Sequence, residues 1–249
     1  MSIPDMSGFR PNNEKKLLIQ TEDNSKYARY PVKTHVVTKG EDLKDIIDKY
    51  VKDYLTPGDI IFMSEKMVAI SQGRAWQLDE IHPSWLAKFL VKFVTKSPYG
   101  IGLGSPYTME LALRDVGVPR ILLGCICAAV TKPFGIKGVF YNVVGTKARA
   151  IDGPCEYTLP PYNNYAKMAP LNPEKVCKEL SEYLGGYDVV IVDANDLGQN
   201  VLGTSNKAIT SDTAHQLFGD NPLDQADQQT PIAIIRKMPD DFEEPVFED

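Results

Sequence analysis

The 249-residue sequence has few cysteines and no clustered metal-binding motif. Four Cys residues are too few for a disulfide scaffold, and no C-x-x-C pair occurs. The three His residues, His35, His82 and His215, are widely separated, so we do not expect a structural zinc site. A reducing cytoplasm is therefore the expected location.

Long apolar runs and net positive charge are also missing. No run approaches the roughly 18 residues that a membrane helix requires, and the N-terminal sequence lacks the apolar segment of a secretion signal. Lys and Arg total 27 against 33 Asp and Glu, a net charge of −6. We therefore expect no nucleic-acid or membrane partner, and any phosphate must be bound locally by a metal ion, a helix N-terminus or backbone amides.

The composition that remains is typical of a globular protein, with 43% hydrophobic and 24% charged residues. The length allows one large domain or two small ones. Residues 1–29 are polar and predict an N-terminal arm, while 237–249 form an acidic tail. The predicted domain therefore covers residues 30–236, undivided or in two subdomains.

Hydrophobic periodicity predicts helices and strands in no regular alternation. Apolar residues at three- and four-residue steps predict a helix over 43–55, and Ser105 with Pro106 predicts the start of another that runs to Asp115. This mixture favours an α+β fold with mixed β-sheets and flanking helices. Further helices are predicted at 82–96 and 172–184, and strands at 17–20, 30–37, 59–63, 67–71, 121–130, 138–144, 187–193 and 231–236.

Two aspartates follow apolar runs at positions where substrate sites commonly form. Asp193 ends the run VVIVD and is followed by Asn195 and Asp196; Asp152 precedes Gly153-Pro154 at a chain reversal. Carboxylates at strand ends are suitable ligands for Mg²⁺ or Mn²⁺. The alternative is that both aspartates only form turns. Local sequence leaves this open for Asp193 and favours the turn for Asp152.

Two further segments are candidates for phosphate contacts. In Ser64–Ala75, Lys66 and Arg74 are cations that can meet phosphates, although a solvated charged hairpin has the same composition. The glycine-rich loop at 100–104 precedes a helix, but no Gly-Lys-Ser/Thr follows, so it is not a Walker loop. A structural turn is the favoured interpretation of that loop.

Five sequence blocks, taken in order, resemble the coenzyme F-420:L-glutamate ligases, the CofE-like γ-glutamyl ligases. The resemblance covers most of residues 30–236, and Asp152 and Asp193 are separated by 41 positions, about the spacing that the family uses. The five blocks are RYPVKTHVVTKGEDL, PGDIIFMSEKMVAISQGRA, AIDGPCEYTLPP, VVIVDAND and QQTPIAIIR.

The resemblance implies a GTP-dependent ligase with a mixed α+β fold, assembled as an intertwined homodimer. Such an enzyme phosphorylates an acceptor carboxylate, and the amine of glutamate then attacks the acyl phosphate to form an amide. Divalent metal ions, Mg²⁺ or Mn²⁺, bridge the phosphates of GTP, or of ATP if this chain prefers it. The implied partners are a small carboxylate acceptor, an amino acid and a second copy of the chain.

Site residues also follow from the resemblance. Asp152 and Asp193 match the metal-binding aspartates, and Gln228 lies at or near the third ligand, with Asp224 and Asp227 close by. The remaining matched positions contact the nucleotide: His35, Val36, Val37 and Thr38 through their backbone, then Glu65, Lys66 and Cys155.

Several positions depart from the family pattern. Ile70 replaces a lysine, Ala194 a threonine and Cys155 an asparagine, and the DANDLGQN segment lacks the usual arginine. Two other functions therefore remain open. One is a metal-dependent phosphohydrolase or phosphotransferase that uses the same aspartates, and the other is a non-catalytic nucleotide-binding relative.

Overall fold

The computed structural model describes residues 4–94, 101–136, 138–156, 158–195, 198–224 and 227–245. The chain divides into two compact units: unit 1 comprises Met1–Gln72 and Pro170–Asp249, and unit 2 comprises Gly73–Ala169. Unit 1 contains a six-stranded mixed sheet flanked by helices. The predicted α+β class with a mixed sheet is confirmed.

The sheet of unit 1 is antiparallel except at one central pair. Its spatial order is β1-β2-β8-β3-β6-β7, and among neighbouring strands of the described sheet only the pair β3 and β6 is parallel. The antiparallel β2 begins within the segment that the sequence predicts as an arm. The strand bounds are β1 Leu18–Gln20, β2 Lys26–Val32, β3 Ile60–Ser64, β6 Asp188–Asn195, β7 Gly198–Thr204 and β8 Ile232–Met238.

Both faces of this sheet carry apolar cores because its central strands are hydrophobic on both sides. Residues such as Met63 and Ile191 face a core that includes side chains from α1, α2 and α8. Phe62 and Val190 face a second core that includes α9, where Phe62 stacks on Phe218. The helix bounds are α1 Leu43–Tyr50, α2 Glu65–Ser71, α8 Pro173–Tyr183 and α9 Ser211–Phe218.

A buried ion pair lies beside the central strand. Arg236 donates from Nε and Nη2 to the two carboxylate oxygens of Asp59 at 2.9 and 2.8 Å, and both side chains are buried. Arg236 Nη2 also donates to the carbonyl of Tyr54 at 2.6 Å. Asp59 directly precedes β3 and Arg236 lies on β8, so the pair links two of the five sequence blocks.

Unit 2 is mainly helical, with one short two-stranded sheet. Its helices α5 and α6 approach closely at Gly124, where an added Cβ would lie 2.7 Å from Val144 Cγ1. The bounds are β4 Ala75–Gln77, α3 Trp85–Leu90, α4 Pro106–Val116, α5 Val118–Thr131, α6 Val139–Val144, α7 Thr146–Arg149 and β5 Tyr165–Lys167.

Three predicted strands are wrong, since Met67–Ser71 lies in α2, 121–130 in α5 and 138–144 in α6. Short apolar runs rich in Val and Ile do not distinguish a strand from a helix, and tertiary packing decides between them. The strand predicted at 30–37 ends at Val32, while the helix predicted over 82–96 is α3 followed by a 3₁₀ turn at Val91–Phe93. Residues 95–96 and Asp196 lie outside the described residues.

Helices α4 and α8 agree with their predictions, as α4 begins at Pro106 behind the Ser105 cap and α8 occupies Pro173–Tyr183. The helix predicted over 43–55 ends at Tyr50, where a 3₁₀ turn at Lys52–Tyr54 follows, and α9 was not predicted. Across the described ranges, the structure contains no helix with the length and hydrophobicity that a bilayer crossing requires.

The buried Asp59–Arg236 pair predicts a large stability effect. Replacing Arg236 with Met should lower the free energy of unfolding by about 3–5 kcal/mol, because Asp59 then remains buried without its counter-ion. Urea denaturation measures this change. Lys237→Met, at the exposed next position of β8, is the matched control and should change stability by less than about 0.5 kcal/mol. Equal stabilities of the two variants would contradict this role for the pair.

Candidate functional site

Three strands of unit 1 end at one edge of its sheet, and the candidate site lies at this edge. Met63 is in register with Ile191 of β6 and with Ile232 of β8, and Ile232 is in register with Val32 of β2. Because β2, β3 and β6 run in the same direction, their carboxyl ends lie at this edge, where β8 begins. We call it the carboxyl edge of unit 1.

Four of the predicted segments lie at the carboxyl edge. His35–Thr38 follows β2, Glu65 and Lys66 follow β3, Asp193 lies near the end of β6, and Gln228 precedes β8. Backbone hydrogen bonds join three of these chain segments: Ser64 N donates to the Pro231 carbonyl at 2.8 Å, and Thr34 N to the Gln229 carbonyl at 3.1 Å. The sheet thus assembles residues that are far apart in the sequence.

The loop at His35–Thr38 is held by two side chains that the sequence analysis missed. The hydroxyl of Tyr50, on α1, lies 3.0 Å from His35 Nδ1. It also accepts a hydrogen bond from His35 N at 3.2 Å. His35 Nε2 is hydrogen-bonded to Glu41, which accepts from Thr38 N and Thr38 Oγ1 at 2.6 and 2.7 Å. These hydrogen bonds hold the backbone of the loop in one conformation. The Thr-x-x-Glu spacing, typical of a capping box, is the sequence signal for Glu41.

The charge of Glu41 is stabilised by these contacts. Partial burial raises its pKa, but the hydrogen bonds from Thr38 and His35 lower it more, and the pKa lies below its ordinary value of 4.5. Glu41 is therefore ionised at neutral pH, and its carboxylate accepts the hydrogen bonds from Thr38 in the loop.

Asp193 lies near the carboxyl end of β6. It lies one residue beyond Val192, which is the register partner of Ser64 at the end of β3. Its side chain is partly exposed, and it makes no hydrogen bond or ion pair to the described residues. By strand alternation it shares a face with Ile191, the face on which α2 packs. Its oxygens therefore have no competing partner in the part of the chain that the structure describes.

The two residues predicted after β3 differ in burial. Glu65 is the first residue of α2 and is 2% exposed, whereas Lys66 is partly exposed. Ile70, the position at which the resembled family has a lysine, is 6% exposed and packs as a core residue. The apolar side chain of Ile70 therefore fits this buried position without a charge partner, which a lysine there would need.

Arg74 does not have the solvent-facing position that a phosphate-binding cation needs. It belongs to unit 2, where Nη2 donates to Asp115 Oδ1 at 2.6 Å, and the two side chains are 13% and 7% exposed. Its guanidinium also donates to the Ala169 carbonyl. The interpretation of Arg74 as a phosphate contact is therefore wrong, because the side chain is already engaged in a buried ion pair.

Asp152 and Cys155 belong to unit 2. Asp152 exchanges two backbone hydrogen bonds with Lys167 of β5, and its carboxylate accepts from Gly153 N at 2.9 Å. The chain reversal predicted at Gly153 is wrong, because residues 152–155 run antiparallel to 163–167, and the chain turns where Thr158 N donates to the Cys155 carbonyl at 3.0 Å. The Asp152 side chain is partly exposed. Cys155 N donates to the Asn163 carbonyl at 3.2 Å. Both residues have ordered backbones with accessible side chains.

The predicted site residues therefore form two groups. Unit 1 brings His35–Thr38, Glu65, Lys66, Asp193 and Gln228 to its carboxyl edge, and unit 2 carries Asp152 and Cys155. Within each unit, the described residues contain no cluster of three or more His, Cys, Asp or Glu side chains with the arrangement of a metal site. The ion shared by Asp152 and Asp193 stays a prediction.

Comparison with protein families gives one match. A family model described as F420-0:gamma-glutamyl ligase matches residues 31–217. The chain belongs to this ligase family. The matched range contains both aspartates and the segments after β2, β3 and β6, while Gln228 lies beyond it. No curated protein matches the chain.

The lowered pKa of Glu41 predicts a pH-dependent effect of its removal. Glu41→Gln should lower the free energy of unfolding at pH 7 by about 0.5–1 kcal/mol, the range of partly exposed ion pairs. The folded pKa lies below 4.5, so the difference from the wild type should persist above pH 4.5 and disappear as the pH falls through the folded pKa.

Urea denaturation across this pH range measures the difference, with the exposed Glu182→Gln as the matched control. A Glu41→Gln effect that is the same at every pH would show that the charge of Glu41 does not stabilise the loop.

Proposed function

We propose that this chain is a nucleotide- and metal-dependent ligase that joins an acceptor carboxylate to the amino group of glutamate. The carrying observation is the convergence of four predicted segments on the carboxyl edge of unit 1. The family description supports the reaction class and names F420-0 and a γ-glutamyl product. Open α/β sheets commonly bind ligands at such an edge.

The loop after β2 is the proposed nucleotide contact. His35–Thr38 offers backbone groups whose positions are fixed by Glu41 and Tyr50, so little loop ordering opposes binding. Lys66 supplies a cation at the same edge, beside the end of β3. GTP is the co-substrate that the resemblance implies, and ATP is its alternative.

The donor set fits a hard divalent cation. Among the described residues, the Asp193 carboxylate makes no hydrogen bond, and the Asp152 carboxylate accepts one, from Gly153 N. Mg²⁺ and Mn²⁺ favour such oxygen ligands and commonly share them with phosphates. Asp193 and Gln228 of unit 1 would hold the ion, and Asp152 is the further ligand that the resemblance implies; the bound ion would neutralise charge on the nucleotide phosphates.

The proposed chemistry has two balanced steps. An acceptor carboxylate oxygen attacks the γ-phosphorus, the bond to the nucleoside diphosphate breaks, and an acyl phosphate forms. The neutral amine of glutamate then attacks the acyl carbon, phosphate leaves, and the amine proton passes to solvent. Lys66 stabilises the negative charge on the transferring phosphoryl group, and the fixed loop holds the nucleotide in line for attack.

Phosphate release measured under omission conditions tests the reaction class. With Mg²⁺ and GTP or ATP, rapid release should require both F420-0 and glutamate, because the acyl phosphate forms on the acceptor and is discharged by the amine. Mass spectrometry should detect the amide product. Rapid release from nucleotide alone would instead identify a phosphohydrolase, and tight nucleotide binding with no release under any condition would identify a non-catalytic relative.

Substitution of the aspartates tests the site. Asp193→Asn and Asp152→Asn should each lower Mg²⁺–nucleotide affinity on the order of tenfold or more, because each removes a charged ligand. Isothermal titration calorimetry measures the affinity, and circular dichroism checks the fold. Asp212→Asn in unit 1 and Asp79→Asn in unit 2, both exposed, are the matched controls. Unchanged affinity in both test variants would overturn the metal assignment.

A further inference from the structure

The two units carry opposite net charges. Unit 2 has 11 Lys and Arg against 6 Asp and Glu, a net charge of +5, although the whole chain is at −6. Unit 1 therefore carries −11. The whole-chain charge of −6 therefore conceals a basic unit 2.

Helix α5 exposes an uncharged apolar face. Its positions Leu122, Leu123, Ile126 and Val130 are all exposed, the last two to 62%. At 100° per residue these four side chains fall within one 100° sector, and the buried Ile121 and Gly124 lie on the other side. Phe134, in the 3₁₀ turn that follows, is 78% exposed. We call Leu122, Leu123, Ile126, Val130 and Phe134 the α5 face.

A second apolar stripe lies on the helical segment that contains α3. Trp85, Phe89 and Phe93 recur every four residues and are 76%, 48% and 69% exposed. Phe89 and Phe93 pack edge to face with ring centroids 5.2 Å apart. Lys88 and Lys92 are exposed between them. Large aromatic side chains with nearby lysines are typical of segments that lie at a membrane interface.

The sequence around the α5 face contains basic residues and no acid. From Val116 to Ile151 it has five Lys or Arg and neither Asp nor Glu. Arg120 and Lys132 are exposed near the two ends of α5. An apolar face with the exposed cations Arg120 and Lys132 near its two ends is complementary to a surface that combines hydrocarbon with negative charge.

We propose that unit 2 docks on the surface of an anionic lipid bilayer through the α5 face. At 14 residues, α5 is too short to span the hydrocarbon core and is of a length suited to lying at the interface. Its aliphatic and aromatic side chains enter the acyl boundary, while Arg120 and Lys132 remain at the level of the phosphates. The α5 face contains none of the residues proposed for the ligase site.

Charge favours the bilayer over a contact between the α5 faces of two copies. In such a twofold contact, Arg120 and Lys132 of one copy would oppose the same cations of the other. Nucleic acid is the less suitable anion, because its contacts are largely polar and it offers no hydrocarbon to bury five large apolar side chains. An anionic bilayer satisfies both the apolar and the basic part of the surface.

Vesicle sedimentation tests this proposal with the full-length chain. Binding to vesicles that contain phosphatidylglycerol should exceed binding to pure phosphatidylcholine vesicles by about tenfold or more, and high salt should weaken it. The double variant Ile126→Glu/Val130→Glu should lose binding by about tenfold or more. Leu171→Glu, at an apolar position of unit 1 that is 42% exposed, is the matched control and should retain it.

Tryptophan fluorescence gives a second measurement. The chain has two Trp residues, so Trp76→Phe/Trp85→Phe removes both, and Phe134→Trp then places a sole reporter on the α5 face. Its emission should shift to shorter wavelength with anionic vesicles, and brominated lipids should quench it. Circular dichroism confirms that each variant is folded.

Three results would overturn the proposal. The first is no binding of the wild type to anionic vesicles, and the second is equal loss of binding in the test and control variants. The third is a stable dimer by sedimentation velocity that Ile126→Glu/Val130→Glu converts to a monomer, since the α5 face would then be covered by a second copy. None of these results depends on ligase activity.

Discussion

The register of β3 between β6 and β8 is the constraint on which the rest of unit 1 depends. Asp59 directly precedes β3, and its buried pair with Arg236 ties that end of the strand to β8, where Ile60 is opposite Ile235. A slip of one residue would separate the ion pair and turn apolar side chains such as Phe62 to the wrong core. The ion pair and the hydrophobic alternation thus specify one register.

That register also determines which residues lie together at the opposite end of these strands, the carboxyl edge of unit 1. Because Met63 is held against Ile191 and Ile232, the chain after β2, the start of α2 and Asp193 arrive at one edge. Residues remote from the chemistry therefore position the residues proposed to perform it. The proposed phosphate and metal contacts would need no basic surface on this acidic chain, since they use fixed backbone groups and carboxylates.

Much of this fold follows from local sequence, and the missing part has a physical reason. The periodicity of α1 and α8, the Ser105-Pro106 start of α4 and the apolar runs of β3, β6 and β8 all predict their elements, since one pattern fits each of them. Helices α5 and α6 were predicted as strands, because their Val- and Ile-rich runs satisfy either structure.

The candidate site shows the same division. The five ordered motifs select the segments of unit 1 that lie at its carboxyl edge. The pairing of Arg74 with Asp115 and the contacts of Tyr50 with His35 leave no signal in the local sequence. Net charge averaged over the chain likewise conceals the basic character of unit 2, which appears only when the residues are divided between the units.

A crystal structure with Mn²⁺ and a non-hydrolysable GTP or ATP analogue tests the central claim most directly. We expect an anomalous peak within ligand distance of Asp193, with the triphosphate beside the backbone of His35–Thr38. A nucleotide bound away from the carboxyl edge of unit 1, with no manganese at Asp193, would contradict the account.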